Sequence, residues 1–445
     1  MEACKLRDIV VAKFGGSSLA DKDQFIKVKE IIVSDKNRRY IIPSAPGKRH
    51  SRDHKITDLL YMCHQLATHG LNFDEVYNVV EERYRGICTG LELELNIGEA
   101  LGEIKSNIKE GASKDYCGSR GEYLNGLILS NYLGFQFIDP KNLILFNDRG
   151  QLEEEKTEML IGEKLKDVKY AVIPGFYGAK ENGDIVTFSR GGSDVTGSVI
   201  ANGVKASLYE NWTDVSGFLM ADPRIVENPK TIEVITYKEL RELSYMGAPV
   251  LHEESIFPVK KHGIPINIRN TNSPEDHGTM IVDDSTTEKP RKITGIAGRK
   301  DFTVINIEKA LMNEEKGFLR KAISVFETNG ISIEHIPSGM DTVSVVAANT
   351  ELNGKIDKIK EELRIYCNPD TITHDTNMAL IAVVGRGMAK TKGISGKVFT
   401  ALGNSDINVR MITQGSSKLI NIIIGIDNED FEKAMESIYR AFENE

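Results

Sequence analysis

Lys13 sits where a lysine is unexpected. It lies between a β-branched run and a turn of glycines and serines, in the stretch IVVAKFGGSS from Ile9 to Ser18. Ile9, Val10 and Val11 read as a short buried strand. Gly15, Gly16, Ser17 and Ser18 then form a tight turn with little side-chain bulk. The backbone N–H groups of such a turn can converge on an anion such as phosphate. Lys13 would add a full positive charge at the rim of that cradle. The plainer alternative is a strand-to-helix turn with a solvated lysine.

A second glycine turn, FSRGGSDVTG, spans 188–197 and precedes a helix expected over Val195–Gly203, with Ser193 or Asp194 as its N-cap. Arg190 could hold a carboxylate with two parallel bonds, and Asp194 could face an ammonium. Together they describe a site for a zwitterionic amino acid. The alternative is a helix cap beside a surface arginine. A third stretch, NWTDVSGFLMADPR (211–224), places Thr213 and Asp214 after a strand at Leu208–Glu210 and presents Arg224 from a turn. Ligands of open α/β sheets bind at the C-terminal edges of parallel strands. Pro223 reads as ordinary turn chemistry, which is also the alternative for Asp222. In CGSRGEYLNG (117–126), Gly118 and Gly121 are expected before a helix, with Glu122 in its first turn. There Glu122 either complements the helix dipole or faces the pocket as a second ammonium partner.

Those residues need a scaffold. Residues 8–46 alternate strand, turn, helix and strand. The helix is expected from about Asp21 to Ser34, with Phe25, Val28, Ile31 and Ile32 near helical spacing. Tyr40–Ile42 forms the next strand. Residues 56–135 read as mostly helical, and strands return at 136–138, 170–173, 208–210 and 266–268. The pattern implies a parallel sheet covered by helices. The basic stretch KRHSRDHKI (47–55) is a loop, and DDSTTEKPRK (283–292) marks the neighbourhood of a domain boundary. Beyond about residue 295 the chain repeats itself. Gly317–Ile333 lies on Gly393–Val409 without gaps, Met312 on Met388, and Ile333–Gly339 on Val409–Gly415. Such a duplication implies a pair of small α/β modules.

The 445 residues are too many for one core. A net charge of −9 argues against nucleic acid as a partner. No segment approaches the ~18 apolar residues of a membrane span. The five cysteines are scattered, without CxxC spacing. With a start that lacks an apolar h-region, this fits a reduced, cytoplasmic protein. P-loop, protein-kinase, HExxH and GxSxG signatures are absent.

KFGGSS, SRGGSD, TDVSGFLMADPR and the tandem tail, in this order, resemble the aspartate kinase family across essentially the whole chain. The resemblance implies an α/β fold: an amino-acid kinase three-layer α/β/α sandwich over 1–294, followed by ferredoxin-like ACT modules at 295–375 and 376–445. In an alternative pairing, the C-terminal strand returns to the first module. It implies transfer of the γ-phosphoryl of MgATP to the side-chain carboxylate of L-aspartate, with magnesium carried by the nucleotide. Lys13 would stabilise the phosphoryl in flight. Gly15, Gly16 and Ser17 would shape the cradle, and Thr213, Asp214, Leu219 and Arg224 would complete the ATP side. Aspartate would meet Ser44, Thr57, Glu122, Arg190, Ser193 and Asp194. The ACT modules would bind an end-product amino acid, lysine or alternatively threonine, through Met312, Glu315, Gly317, Phe318, Leu319, Ser332, Ile333, Glu334 and Ser338. Asp341 is a further candidate. The alternative for Glu334 and Asp341 is a pair of solvated loop charges. ACT modules commonly associate across subunits, so a homodimer or a dimer of dimers is expected.

The chain departs from the family pattern in three places. Leu219 stands where many members have tyrosine, Pro249 where many have a nucleotide-contacting lysine, and the 47–55 loop is long. That loop is either a lid or merely solvated. Two rivals are a kinase for glutamate, acetylglutamate or a nucleotide, and a non-catalytic amino-acid sensor.

Overall fold

The structure is a computed structural model that describes residues 8–189, 191–248, 253–285, 290–414 and 420–444. In chain order, the elements of the first half are β1 (Val10–Phe14), α1 (Lys22–Ser34), β2 (Arg38–Pro43), α2 (Ile56–Thr68), α3 (Asp74–Gly90), α4 (Ile97–Lys109), α5 (Lys114–Leu133), β3 (Gln136–Phe137), β4 (Leu145–Phe146), α6 (Glu154–Lys164), β5 (Ala171–Val172), β6 (Tyr177–Lys180), β7 (Ile185–Thr187), α7 (Gly192–Gly203) and β8 (Leu208–Thr213). They continue with β9 (Val234–Thr236), α8 (Tyr237–Tyr245), α9 (Glu253–Lys260), β10 (Ile266–Asn270), β11 (Thr279–Val282), β12 (Gly295–Glu308), α10 (Phe318–Thr328), β13 (Thr342–Ala348), α11 (Asn349–Leu352), α12 (Ile356–Cys367), β14 (Thr371–Val384), α13 (Ile394–Asn404), β15 (Met411–Gln414), β16 (Asn421–Asp427) and α14 (Phe431–Phe442). The chain divides into two compact units. The first is Met1–Phe218, Thr231–Tyr237 and Val250–Thr286, and the remainder forms the second.

The first unit is built on an eight-stranded sheet in the order β3-β5-β2-β1-β8-β10-β11-β9. All neighbours are parallel except β10 and β11. β1 is buried throughout, as a central parallel strand covered on both faces must be. Side chains alternate faces along it. Ala12 and Phe14 join the apolar cluster with α1–α5. Lys13 projects from the alternate face, where α7 packs on β1. In α1, Phe25, Val28, Ile31 and Ile32 are the buried stripe, and the Asp21 carboxylate caps the helix by accepting from the backbone N–H of Asp23 and Gln24.

Two local expectations are corrected. Gly118 and Gly121 do not precede a helix: α5 starts at Lys114 behind the N-cap Ser113, and both glycines lie inside it. They admit close neighbours there. A Cβ on Gly118 would sit 2.6 Å from the Tyr61 hydroxyl oxygen, and one on Gly121 would sit 2.7 Å from the Ala45 Cβ. Glu122 is therefore mid-helix, not in a first turn. At α7, neither Ser193 nor Asp194 is the N-cap. Gly191 is, in the left-handed region at φ 58°, with no side-chain cap.

The second unit carries one five-stranded antiparallel sheet, β13-β12-β14-β16-β15, with α10, α12, α13 and α14. The two sequence copies do not keep separate sheets. Their first strands, β12 and β14, pair with each other from Gly295↔Val384 to Glu308↔Thr371. The second strand of the first copy is reduced to two bridges, His335↔Val346 and Ser338↔Val343, where the second copy has β15. Most of α8 belongs to this unit. Its Glu239 carboxylate accepts from the Thr294 hydroxyl at 2.6 Å and the Arg386 backbone N–H at 2.9 Å. Among the described residues no helix is long and apolar enough to cross a membrane.

Candidate active site

Lys13 is the last residue but one of β1, in register with Asn211 of β8. Its Nζ lies 2.5 Å from Asp194 Oδ1 and donates to Asn211 Oδ1 at 3.3 Å. The Asn211 side chain in turn donates to Asp194 Oδ1 at 2.9 Å. These contacts close a ring around the ammonium of Lys13, a residue only 7% exposed. The solvated-lysine alternative is thereby set aside. The ring also shows why Asp194 does not cap α7: a buried cation is a stronger partner than a backbone N–H.

The glycine turn follows directly. Gly15 N–H donates to the Trp212 carbonyl at 2.9 Å, and Ser18 N–H and Leu19 N–H donate back to Gly15 and Gly16. Ser44 N–H donates to the Phe14 carbonyl, and Gly47 N–H donates to that of Gly16 at 2.8 Å. The ends of β1 and β2 thus share one edge. Gly16 and Gly47 touch backbone to backbone, since a Cβ on Gly47 would lie 2.6 Å from the Gly16 carbonyl carbon.

Glu122 enters the same neighbourhood from α5. Burial pushes its carboxyl up from 4.5 to about 8, against backbone hydrogen bonds that include the Ala45 N–H. Its Oε2 is buried without a hydrogen-bond partner. An orphan carboxylate oxygen beside Ser44 and Ala45 suits an ammonium group. Ser193 packs against Gly175, whose added Cβ would meet it at 2.6 Å. Thr57 is half-buried in the first turn of α2. Thr213 is the last residue of β8, which runs three residues beyond the expected Glu210. Its hydroxyl donates to the exposed Asp214 carboxylate at 3.1 Å.

Arg190 and Pro249 lie outside the described residues. Leu219 and Arg224 belong to the second unit. Leu219 is exposed, and Arg224, 83% exposed, folds its guanidinium onto the Asp222 carboxylate at 2.5–3.0 Å. The 47–55 loop is not simply solvated. Asp53 is buried within it, held by Arg49 at 2.9 Å and by Arg83 of α3 at 2.6 Å.

In the second unit Met312 and Phe318 are buried, Leu319 and Ser338 are exposed, and Gly317 takes the left-handed conformation before α10. Glu315 is paired with Lys309 and Lys321. Ser332 N–H faces Glu351 at 3.5 Å, and Ile333 packs against the apolar cluster of that copy. Glu334 is not a solvated charge. Its side chain is 9% exposed, 3.8 Å from Arg299, and hydrogen-bonded to the Tyr245 hydroxyl, with Oε2 buried and unpartnered. Asp341 does stay exposed, accepting from the Leu311 N–H.

Sequence reasoning passed over Asn211 and Asn125. Asn211 was legible as an amide inside an apolar parallel strand. Asn125 of α5 donates to the Ser44 carbonyl at 2.7 Å, a contact that no local signal announces. Among the described residues no group of three or more His, Cys, Asp or Glu could hold a metal ion.

Comparison with known proteins follows the same division. The amino acid kinase family matches residues 8–270, and the ACT domain matches residues 381–442. Aspartokinase 3 of Bacillus subtilis is 36% identical over 97% of this chain and 98% of its own. Lysine-sensitive aspartokinase 3 of Escherichia coli is 28% identical over 98% and 99%. The crystal structure of Clostridium acetobutylicum aspartate kinase superposes with a TM-score of 0.92 at 60% identity, covering 98% of this chain and 100% of that one. E. coli aspartokinase III in complex with aspartate and ADP superposes at 0.70, with 26% identity over 98% and 100%. A likeness of this depth, carried through both the kinase part and the ACT part, leaves one family, and the chain belongs to it: the aspartate kinases.

Proposed function

We propose that the enzyme transfers the γ-phosphoryl of MgATP to the side-chain carboxylate of L-aspartate, forming 4-phospho-L-aspartate. The observation that carries the site assignment is the buried ring of Lys13, Asp194 and Asn211 at the end of β1, next to the Gly15–Gly16 turn. The acceptor carboxylate is already ionised at neutral pH, so no base is required. One carboxylate oxygen bonds to Pγ as the bond from Pγ to the bridging oxygen breaks, and ADP leaves with that electron pair. Charge accumulates on the phosphoryl oxygens, and a preorganised ammonium in a dry site stabilises it without reorganising. Asp194 and Asn211 hold Lys13 in place for that moment. Glu122 takes the aspartate ammonium. Gly16 and Ser17 offer backbone N–H groups to the phosphates, Gly15, whose own N–H is bound to the Trp212 carbonyl, shapes the turn, and Thr213 and Asp214 flank them. Ser44, Thr57, Ser193 and Arg190 complete the aspartate side. Magnesium arrives with the nucleotide as part of the substrate.

The E. coli relative has been crystallised with lysine and aspartate in a T-state. We extend this to feedback by lysine here, with Glu334, a buried carboxylate with a spare oxygen, as the ammonium partner. Glu315 and the 312–338 loops make the rest of that pocket, and threonine is the alternative effector. Exposed Ile336, Met340 and Ile412 support association of the regulatory units into a homodimer or a dimer of dimers. The setting would be the cytoplasm.

Hydroxylamine trapping of the acyl phosphate tests the reaction, with aspartate against glutamate as acceptor. Lys13→Met should lower kcat by about 10²–10³-fold with a much smaller change in the KM for aspartate. Trapping with glutamate alone, or a pure KM effect, refutes the assignment.

A further inference from the structure

Arg83 stands out on α3. The buried stripe of that helix is otherwise apolar, made by Tyr77, Val80, Tyr84, Ile87 and Cys88. The Arg83 side chain, only 4% exposed, lies within the stripe. Its guanidinium reaches three separate pieces of chain. Nη1 donates to the Gly47 carbonyl at 3.0 Å and to the Ala20 carbonyl at 3.4 Å, and Nη2 donates to Asp53 Oδ2 at 2.6 Å. Ala20 closes the glycine turn, Gly47 follows the end of β2, and Asp53 is the buried anchor of the basic loop. Asp53 also accepts from the Arg49 backbone N–H at 2.9 Å and from the Arg49 side chain.

A buried ion pair is poor value as a source of stability. Its desolvation offsets most of the attraction, and apolar residues of the same shape often do as well. Such a pair does fix geometry. Gly47 N–H holds the Gly16 carbonyl at 2.8 Å while Arg83 holds the Gly47 carbonyl. The chain of contacts therefore runs from α3 through Gly47 to Gly16, the second glycine of the turn. Neither loop has side-chain bulk at the junction to define its position.

We infer that Arg83 is a positioning residue for phosphoryl transfer, strapping the glycine turn to the 47–55 loop through Gly47, Ala20 and Asp53. This rests on the reading of that turn as the phosphate cradle. The loop is accordingly a fixed wall of the site rather than a lid that closes over it.

The test compares Arg83→Met, Arg83→Lys and the double variant Arg83→Met/Asp53→Asn with Lys13→Met, in the full-length enzyme. All rates are read well below each melting transition, so unfolded enzyme does not contribute. Arg83→Met should lower kcat about 10- to 100-fold, the cost of a misplaced reacting group, with the KM for aspartate within about threefold. Arg83→Lys should fall between it and the wild type. The double variant also removes the Asp53 charge, which Arg83→Met leaves to Arg49 alone, and should keep the low kcat whatever its thermal stability, because the Gly47 carbonyl still lacks its donor. A double variant that regains kcat together with stability overturns the strap and leaves a structural ion pair. So does an Arg83→Met enzyme with kcat within about twofold of the wild type. If Lys13→Met keeps its kcat, the cradle reading fails and this inference fails with it. An inactive Lys13→Met beside fully active Arg83 variants overturns the strap alone.

Discussion

Replacing Glu122 with glutamine should flatten the pH dependence of stability in the first unit. Burial raises the Glu122 carboxyl from 4.5 to about 8. The folded state thus holds this proton more tightly than the unfolded chain does. The stabilising contribution is whole below pH 4.5 and is lost as pH rises toward 8. At 1.36 kcal/mol per pH unit, the full gap is worth about 5 kcal/mol, of which about 3 is already lost at pH 7. Glutamine keeps the shape and the oxygen that accepts from Ala45 but cannot ionise. The assay is urea unfolding of ligand-free enzyme from pH 5 to pH 9, followed by the fluorescence of Trp212. This is the only tryptophan in the chain, buried in the first unit. Between those limits the wild type should lose about 4 kcal/mol relative to the variant.

Binding supplies a second readout of the same group. A carboxyl titrating near 8 is about nine-tenths protonated at pH 7. If Glu122 pairs with the ammonium of aspartate, close to one proton should leave on binding. Calorimetry in two buffers of different ionisation enthalpy counts it, and the KM for aspartate should rise as pH falls below 8. Arg120, Tyr84 and Tyr61 interact electrostatically with Glu122, but none supplies a hydrogen-bond partner for Oε2. Parallel stability curves for the two proteins, together with no proton release from the wild type, would refute the reasoning.

The sequence was most legible where local rules act alone. The spacing of Phe25, Val28, Ile31 and Ile32 placed α1 and its buried face, because nothing tertiary competes with that stripe. Lys13 was legible as an oddity, a charge at the end of an apolar strand. Its partners were not. Asp194 and Asn211 lie far along the chain: the β1–β8 register brings Asn211 to Lys13, and the packing of α7 on β1 brings Asp194. The same tertiary pull defeated the cap rule at Asp194. At α5 glycine was misleading. It usually marks a turn, but at Gly118 and Gly121 it marks contacts that a Cβ would block. The repeat in the tail revealed two copies. Their shared sheet depends on β12 pairing with β14, which no periodicity encodes. No local signal marks Arg83, since a single arginine in a helix is ordinarily solvent-facing.

Two further perturbations probe regions remote from Lys13. Glu334→Gln removes the buried charge held between Arg299 and the Tyr245 hydroxyl. It should raise the lysine concentration for half-inhibition by about tenfold or more, the loss of one charged contact, and an unchanged inhibition curve would move the effector elsewhere. Glu210→Gln tests the frame under the site. Glu210 accepts from Arg38 Nε at 2.7 Å, Arg38 Nη2 at 3.0 Å and the Trp212 indole at 2.8 Å, with Arg269 at 3.9 Å. Both guanidinium groups also lie over the Trp212 ring, which stacks with Phe14 next to Lys13. A neutral side chain would leave the buried Arg38 guanidinium without its carboxylate and Arg269 with Asp276 alone, at a cost of about 3–5 kcal/mol. In a unit of this size that lowers the melting midpoint by roughly 10 °C. Arg38→Met added to Glu210→Gln should recover part of the loss, because one unpaired cation is gone. A midpoint that does not move in the single variant would show that the charge on Glu210 carries no weight in β8, the strand that delivers Asn211 to Lys13.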